Sequence, residues 1–224
     1  MAELPKIRIK THLPTRPFPP NAERKPIRTE RLLIRPFTED DLKGIYALRT
    51  QPEVMYFTAV GRIDPSKDET RTSYLARYLP PNDIRTYHNV LCLASTGEII
   101  GTGGMPKVDL VFGWPEIAYM LKREYWGQGY ATEFLKAFTE HWWTLPRSEV
   151  EVEVAAESVQ VNGSEEVPEM LSAMADDKNP GSKRVLEKAG FKEFTRWIEP
   201  DTREGVTDGI TLVGFVLKSP GRKD

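Results

Sequence analysis

The sequence is poor in the residues from which disulfides and metal sites are built. Its 224 residues hold one cysteine, Cys92, and three histidines, His12, His88 and His141, set far apart. A single thiol cannot close an intramolecular disulfide, and it argues against a cysteine-based zinc site, so no metal is expected. The lack of disulfides fits a reducing compartment, and a cytoplasmic location is expected. Long apolar runs are missing, and the N-terminal stretch has no apolar leader core; no membrane contact is expected. Neither sign of charge dominates, with 31 Lys and Arg against 33 Asp and Glu. A nucleic-acid surface calls for a strongly basic domain or stripe, so no nucleic-acid partner is expected.

What is present is an ordinary globular composition, 39% hydrophobic and 29% charged, long enough for one sizeable core. Residues 1–27 are rich in Pro, Lys and Arg and read as an extended arm lying across the body or a partner. The domain is placed at 28–218, with 219–224 as a tail. Arg31–Phe37 reads as a strand, and Thr38–Asp41 carries helix-capping chemistry ahead of Leu42, Ile45 and Leu48 at helical spacing. A second helix is expected over Asp64–Leu79, capped by Ser66 or Asp68. A meander follows: Asn89–Ala94, a turn at Ser95–Glu98, Ile99–Met105, then Glu116–Leu121. Ala131–Trp143 reads as a helix, Val150–Ala155 as an alternating strand, Ser182–Ala189 as a short helix, and Phe191–Trp197 and Ile210–Leu217 as closing strands. Glu157–Asp177 has no strong period and reads as a mobile insertion. The order is mixed α/β, neither a regular βαβ alternation nor all-β.

Two stretches carry the chemistry. In the first, Tyr125-Trp126-Gly127-Gln128-Gly129-Tyr130-Ala131-Thr132-Glu133, a strand ends and an amphipathic helix begins. The glycines suit a sharp turn or a close approach, and a helix N-terminus offers unpaired N–H groups to an anion such as a pyrophosphate. A plain structural turn has the same glycines. The phosphate-loop pattern is absent, and the dinucleotide fingerprint fits poorly because the preceding strands form a meander. In the second stretch, Asn179 and Ser182 flank a helix start and Gly190-Phe191 closes it. The plain reading of Asn179 and Ser182 is capping.

Together these stretches resemble the GNAT N-acetyltransferase superfamily, and within it the branch of bacterial ribosomal-protein N-terminal acetyltransferases. Thr29-Glu30-Arg31-Leu32-Leu33-Ile34-Arg35 looks like the opening strand of that branch. Glu116-Ile117-Ala118-Tyr119 with the Tyr125–Glu133 stretch looks like its acetyl-CoA motif. Asn179-x-x-Ser182-x-x-Val185-Leu186-Glu187-Lys188-x-Gly190-Phe191 looks like its closing motif. The resemblance implies a central, mostly antiparallel sheet with a splayed strand pair, flanked by helices.

The resemblance also implies an acyltransferase that moves an acetyl group from acetyl-CoA to a primary amine by direct attack in a ternary complex. The CoA pyrophosphate would sit on the loop Trp126, Gly127, Gln128, Gly129, Tyr130, Ala131 and Thr132. The pantetheine would run along Tyr119, Met120 and Leu121, the carbonyl being polarised by a backbone N–H near Met120. Glu116 is the favoured base, with Glu153 on the next expected strand as the other candidate. The relatives' tyrosine acid has Leu186 in its place here. Ser182 matches the branch's alternative donor to the leaving thiolate, and Asn179 matches a residue that binds the pantetheine amide. The acceptor, a small molecule or a protein N-terminus, is left open, as is a homodimer. A CoA-binding sensor or scaffold without turnover is the alternative reading.

Overall fold

A computed structural model of the chain describes residues 4–107, 111–159, 167–203 and 206–220. Its frame is an antiparallel meander. The strands β2 (Ile27–Arg28), β3 (Leu32–Arg35), β4 (Tyr87–Leu93), β5 (Ile99–Met105) and β6 (Ala118–Leu121) lie side by side in that order. Alternate residues of β4 face opposite sides, so one strand serves two cores. Tyr87 and Leu91 join Phe134, Phe138 and Trp142 in the larger core, whereas Val90 and Cys92 join Phe37, Ile45 and Tyr74 on the other side.

The larger core is closed by α4 (Tyr130–Trp142), whose Phe134, Leu135, Phe138 and Trp142 recur at helical spacing and are buried. The second core is covered by α1 (Leu42–Arg49), α2 (Pro52–Tyr56) and the short α3 (Lys67–Glu69). The helix expected over Asp64–Leu79 is one winding path that changes pitch. α3 starts at Ser66, whose Oγ accepts the Glu69 N–H, widens to a π turn over Thr70–Tyr74 and tightens to a 3-10 turn over Leu75–Arg77. Buried Asp64 explains the anchoring of that path: its carboxylate accepts from Arg49 Nε at 2.6 Å and from Thr70 Oγ1 at 2.6 Å.

Two expectations need correction. The N-terminal arm is extended, but its Lys6–Pro14 segment is a regular strand, β1, paired antiparallel along its whole length with β7 (Arg147–Ala155). Ile7, Ile9, Thr11 and Leu13 alternate with Arg8, Lys10 and His12, a period-two signal hidden among the flanking prolines. The second correction concerns 157–177. Met170–Asp176 is a buried strand, β8, in a second sheet of order β8-β10-β9, with β9 at Lys192–Pro200 and β10 at Gly209–Lys218. Leu171, Ala173 and Ala175 enter the larger core, while Met170 and Met174 pack against a third cluster around Phe112 and Trp114. A strand buried on both faces and built partly of Ser and Ala shows no alternation, which is why its sequence reads as periodless. Positions 160–166 of the expected insertion lie outside the described residues.

Among the described residues, no helix is long and apolar enough to cross a membrane.

Candidate active site

Among the described residues, one isolated backbone bridge joins the meander to the β8-β10-β9 sheet. Glu116 forms an isolated parallel bridge with Ser172; the Ile117 N–H donates to the Ser172 carbonyl, and the Ser172 N–H to the Pro115 carbonyl, both at 2.8 Å. Beyond it β6 pairs only with β5, and β8 with β10, so the adjoining strands part company and leave a splay.

Backbone alternation decides which groups of β6 face that gap. In an antiparallel pair, N–H groups point alternately to one neighbour and the other. The Lys122 N–H donates to Ile100 of the β5 side at 2.8 Å, and the Ile117 N–H points the opposite way, to Ser172. The same parity turns Met120 N–H toward β5, opposite Thr102, and leaves Tyr119 and Leu121 N–H facing the splay. Met120 itself thus offers no free N–H to the splay, and the free backbone donors near it are those of Tyr119 and Leu121. Leu121's carbonyl on that side accepts the Trp126 indole N–H at 2.7 Å.

The loop after β6 turns through two left-handed glycines, Gly127 at φ 73° and Gly129 at φ 84°, the latter capping α4. Side chains rarely adopt that backbone, which is the physical need for glycine here. Among the described residues, the N–H groups from Gly127 to Thr132 have no protein acceptor, whereas the Trp126 N–H is taken by the Arg123 carbonyl. Trp126 thus has both its donors occupied, which removes it as a phosphate ligand but makes its ring a brace for the loop. A Cβ placed on Gly127 would meet nothing within 4 Å, so open space faces the loop. Free amides at a helix N-terminus beside open space fit a pyrophosphate.

Arg31 fastens this loop to the start of β3. Its Nη1 donates to the Gln128 carbonyl at 3.0 Å, its Nε donates to Glu133 at 2.7 Å, and its guanidinium stacks 4.4 Å from the Tyr130 ring. Glu133 also accepts from Thr29 Oγ1, and these donors hold its carboxyl below the usual carboxylate range despite partial burial. A cavity of about 630 Å³ beside it is lined by Thr29, Glu30, Arg31, Thr132, Glu133 and Lys136, two cations balanced by two carboxylates next to the Thr132 amide.

On the other side of the splay, Asn179 caps α5 (Pro180–Lys188) through its Oδ1, which accepts the Ser182 N–H at 3.0 Å. The capping role expected as the plain reading of Asn179 is thus present. Ser182 Oγ lies 3.0 Å from the Tyr119 hydroxyl, which crosses from β6. Burial pushes that phenol up to about 12, so it stays protonated at neutral pH. Leu186 is fully buried in the larger core.

Glu116 stands where the splay begins, 5% exposed. Its Oε1 is 3.5 Å from Lys107 Nζ, and its buried Oε2 has no hydrogen-bond partner. Burial raises its pKa above the usual carboxylate value, opposed by Lys107. Glu153 is placed elsewhere. It lies on β7, exposed, in an ion pair with Arg8 at 3.2 Å on the β1–β7 ribbon. The strand next to β6 across the splay is β8, so the expectation that Glu153 borders the cleft is corrected.

The match that settles the family is to the model of the acetyltransferase (GNAT) domain, which covers residues 31–192. The chain belongs to the GNAT acetyltransferase family. It is accordingly an acetyl-CoA-dependent acyltransferase that transfers acetyl to an amine. The acetyltransferase is 29% identical over 130 residues to the uncharacterized N-acetyltransferase p20 of Bacillus licheniformis, spanning 56% of this chain and 71% of that one. Its fold matches a GNAT-family acetyltransferase of Bacillus anthracis at a TM-score of 0.64, with 17% identity over 87% of this chain and 98% of that one. It also matches the spermidine N-acetyltransferase of Vibrio cholerae, in complex with CoA and spermine, at 0.60, with 16% identity over 84% and 96%.

Three groups at this acetyltransferase's site have weak signals or none in the sequence. Lys107 is separated from Glu116 by nine positions with no motif between them. Arg31 belongs to the opening-strand motif, yet nothing local links it to Gln128. Tyr119 stands in the acetyl-CoA motif, but its reach to Ser182 depends on how α5 packs.

Proposed function

We propose that this acetyltransferase holds the CoA phosphates on the amides of Gly127 to Thr132, with Lys136 at the edge of the adjoining cavity. The pantetheine lies along the splay edge of β6, where Tyr119 and Leu121 offer strand-like hydrogen bonds. Acetyl-CoA supplies the thioester; the rest of the chemistry falls to the chain's own groups.

An ammonium has no lone pair, so the acceptor amine must be neutral when it attacks the thioester carbonyl. As the C–N bond forms and the C–S bond breaks, Glu116 takes the amine proton, directly or through one water. Burial raises its pKa above the ordinary carboxylate value, which makes it a stronger base than an exposed carboxylate. The splay-side N–H groups of Tyr119 and Leu121 stabilise charge on the carbonyl oxygen. Ser182 gives its hydroxyl proton to the departing sulfur, and the protonated Tyr119 hydroxyl stands at 3.0 Å to resupply it. Both steps occur in one ternary complex, with no acyl-enzyme.

The observation that carries this reading is the buried, unpartnered Oε2 of Glu116 where the strands separate. A buried carboxylate oxygen without a donor is costly, and a functional partner that arrives with the substrate accounts for it. The opening strand and closing motif support the ribosomal-protein N-terminal branch, which would make the acceptor a protein α-amine. Labelled acetyl-CoA tests the roles. Glu116→Gln and Ser182→Ala should each lower turnover with CoA affinity retained; unchanged turnover in both rejects the assignment. Acetyl-CoA binding without turnover of any amine would favour a sensor instead.

A further inference from the structure

A second cavity, of about 410 Å³, is bordered by Lys107, the lysine that pairs with Glu116. It lies between the Thr70–Arg77 winding segment, the 3-10 turn Asp83–Arg85 and the end of β5, and is lined by Thr72, Arg77, Asn82, Arg85, Thr86 and Lys107. Three of these are cations, and among the described residues no carboxylate lines the cavity. Neither Arg77 nor Arg85 forms an ion pair among the described residues. The carboxylate of nearby Asp83 is turned away to accept the Asn21 N–H at 2.7 Å. Lys107 alone is paired, and its partner is Glu116. The cavity and the proposed base are therefore within reach of one lysine side chain.

We infer that this cavity receives an anionic group of the acceptor, a carboxylate or a phosphate, while the acceptor's amine is presented to Glu116. The inference rests on the reading of Glu116 as the base. Two guanidinium groups without an ion pair among the described residues offer forked donors matched to a carboxylate or a phosphate. The Thr72 and Thr86 hydroxyls and the Asn82 amide supply neutral polar contacts. An anion in the cavity also competes for Lys107, loosening its hold on Glu116 so that the carboxylate can meet the amine. A polyamine would meet like charge on this wall, so the surface selects against multiply cationic acceptors.

Matched acceptors test this with labelled acetyl-CoA. Leucine is compared with leucinamide and 3-methylbutylamine, and O-phosphoethanolamine with ethanolamine; spermidine is the cationic arm. The anionic member of a set should show kcat/KM higher by about tenfold or more, about 1.4 kcal/mol. Whether leucine or O-phosphoethanolamine gains more tells carboxylate from phosphate. The double variant R77E/R85E should erase that preference while calorimetric affinity for acetyl-CoA is unchanged, which also shows the variant is folded. Equal or faster turnover of the uncharged partners or of spermidine overturns the inference. So does a preference that survives in the double variant, or acetyl-CoA binding with no member of the panel turned over. Loss of both acetyl-CoA binding and turnover in the native protein would instead remove the acetyltransferase reading beneath it.

Discussion

The two ends of the site are made of different material. On the β6 side the groups that face the gap are backbone: the N–H groups of Tyr119 and Leu121 and the run from Gly127 to Thr132. At the Glu116 end they are side chains: one buried carboxylate and its lysine partner, which also borders a cavity lined by two arginines. A site made of amides is controlled by φ and ψ and is indifferent to most side-chain changes. A site made of side chains can be emptied one atom at a time while the backbone stands. The contrast predicts opposite responses to mutation.

Glu116→Gln should be the most damaging single change. A positioned general base contributes about 10²–10⁴-fold, so kcat should fall by that order while acetyl-CoA affinity measured by calorimetry stays within about twofold. In the native enzyme the raised pKa of Glu116 places the acid limb of kcat/KM above the usual carboxylate range, because activity falls as the base takes up its proton. A limb at an ordinary carboxylate value would break the comparison.

Gly129→Ala works from the other side. A non-glycine residue at φ 84° costs about 1–2 kcal/mol, and its Cβ would stand 3.4 Å from the Arg31 guanidinium. The expected outcome is a rise of about tenfold in the acetyl-CoA dissociation constant with little change in kcat at saturation. Loss of kcat with unchanged affinity would show that the loop is not the phosphate cradle.

His88 tests the second core, separately from the chemistry. It is buried among Phe37, Tyr74 and Tyr78, and burial pushes it down to about 3. The unfolded chain takes up a proton near 6.5 and the folded one does not, so stability is full above 6.5. It falls by about 1.4 kcal/mol per pH unit as the pH drops from 6.5 toward 3. Urea unfolding at pH 7 and pH 5 should show that slope, and His88→Phe should flatten it.

The smaller effects follow. Ser182→Ala should lower kcat by about tenfold, the scale of one hydrogen bond that water can replace in part. Glu153→Gln removes only an exposed ion pair with Arg8, so turnover and acetyl-CoA affinity should both be unchanged. A kinetic effect at Glu153 would mean that the β1–β7 ribbon reaches the splay.

Much of the β6 side is legible in the amino-acid sequence. Gly127 and Gly129 advertise left-handed backbone, and Phe134, Leu135, Phe138 and Trp142 advertise the helix that follows. The other side is legible in part. Glu116 is marked by its place relative to the loop, and Asn179 and Ser182 by their spacing. β8 escapes because Leu171, Ser172 and Ala173 are buried whichever way they point, so no period survives. With β8 hidden, β7 looks like the neighbour of β6 and Glu153 is drawn into the site. Which N–H groups near Met120 are free cannot be read from the sequence, because strand parity is set by the partners of Lys122 and Ile117.

Local conformation, then, is within the sequence's own power to determine: glycines that need positive φ, apolar residues at helical spacing, caps at Ser66 and Asn179. These are interactions between near neighbours along the chain. Which strand borders which, which face of β6 is free, and which cation meets Glu116 are decided by tertiary structure alone. Those relations join residues far apart in sequence, and they exist only once two sheets have packed at Glu116 and Ser172 and separated beyond them.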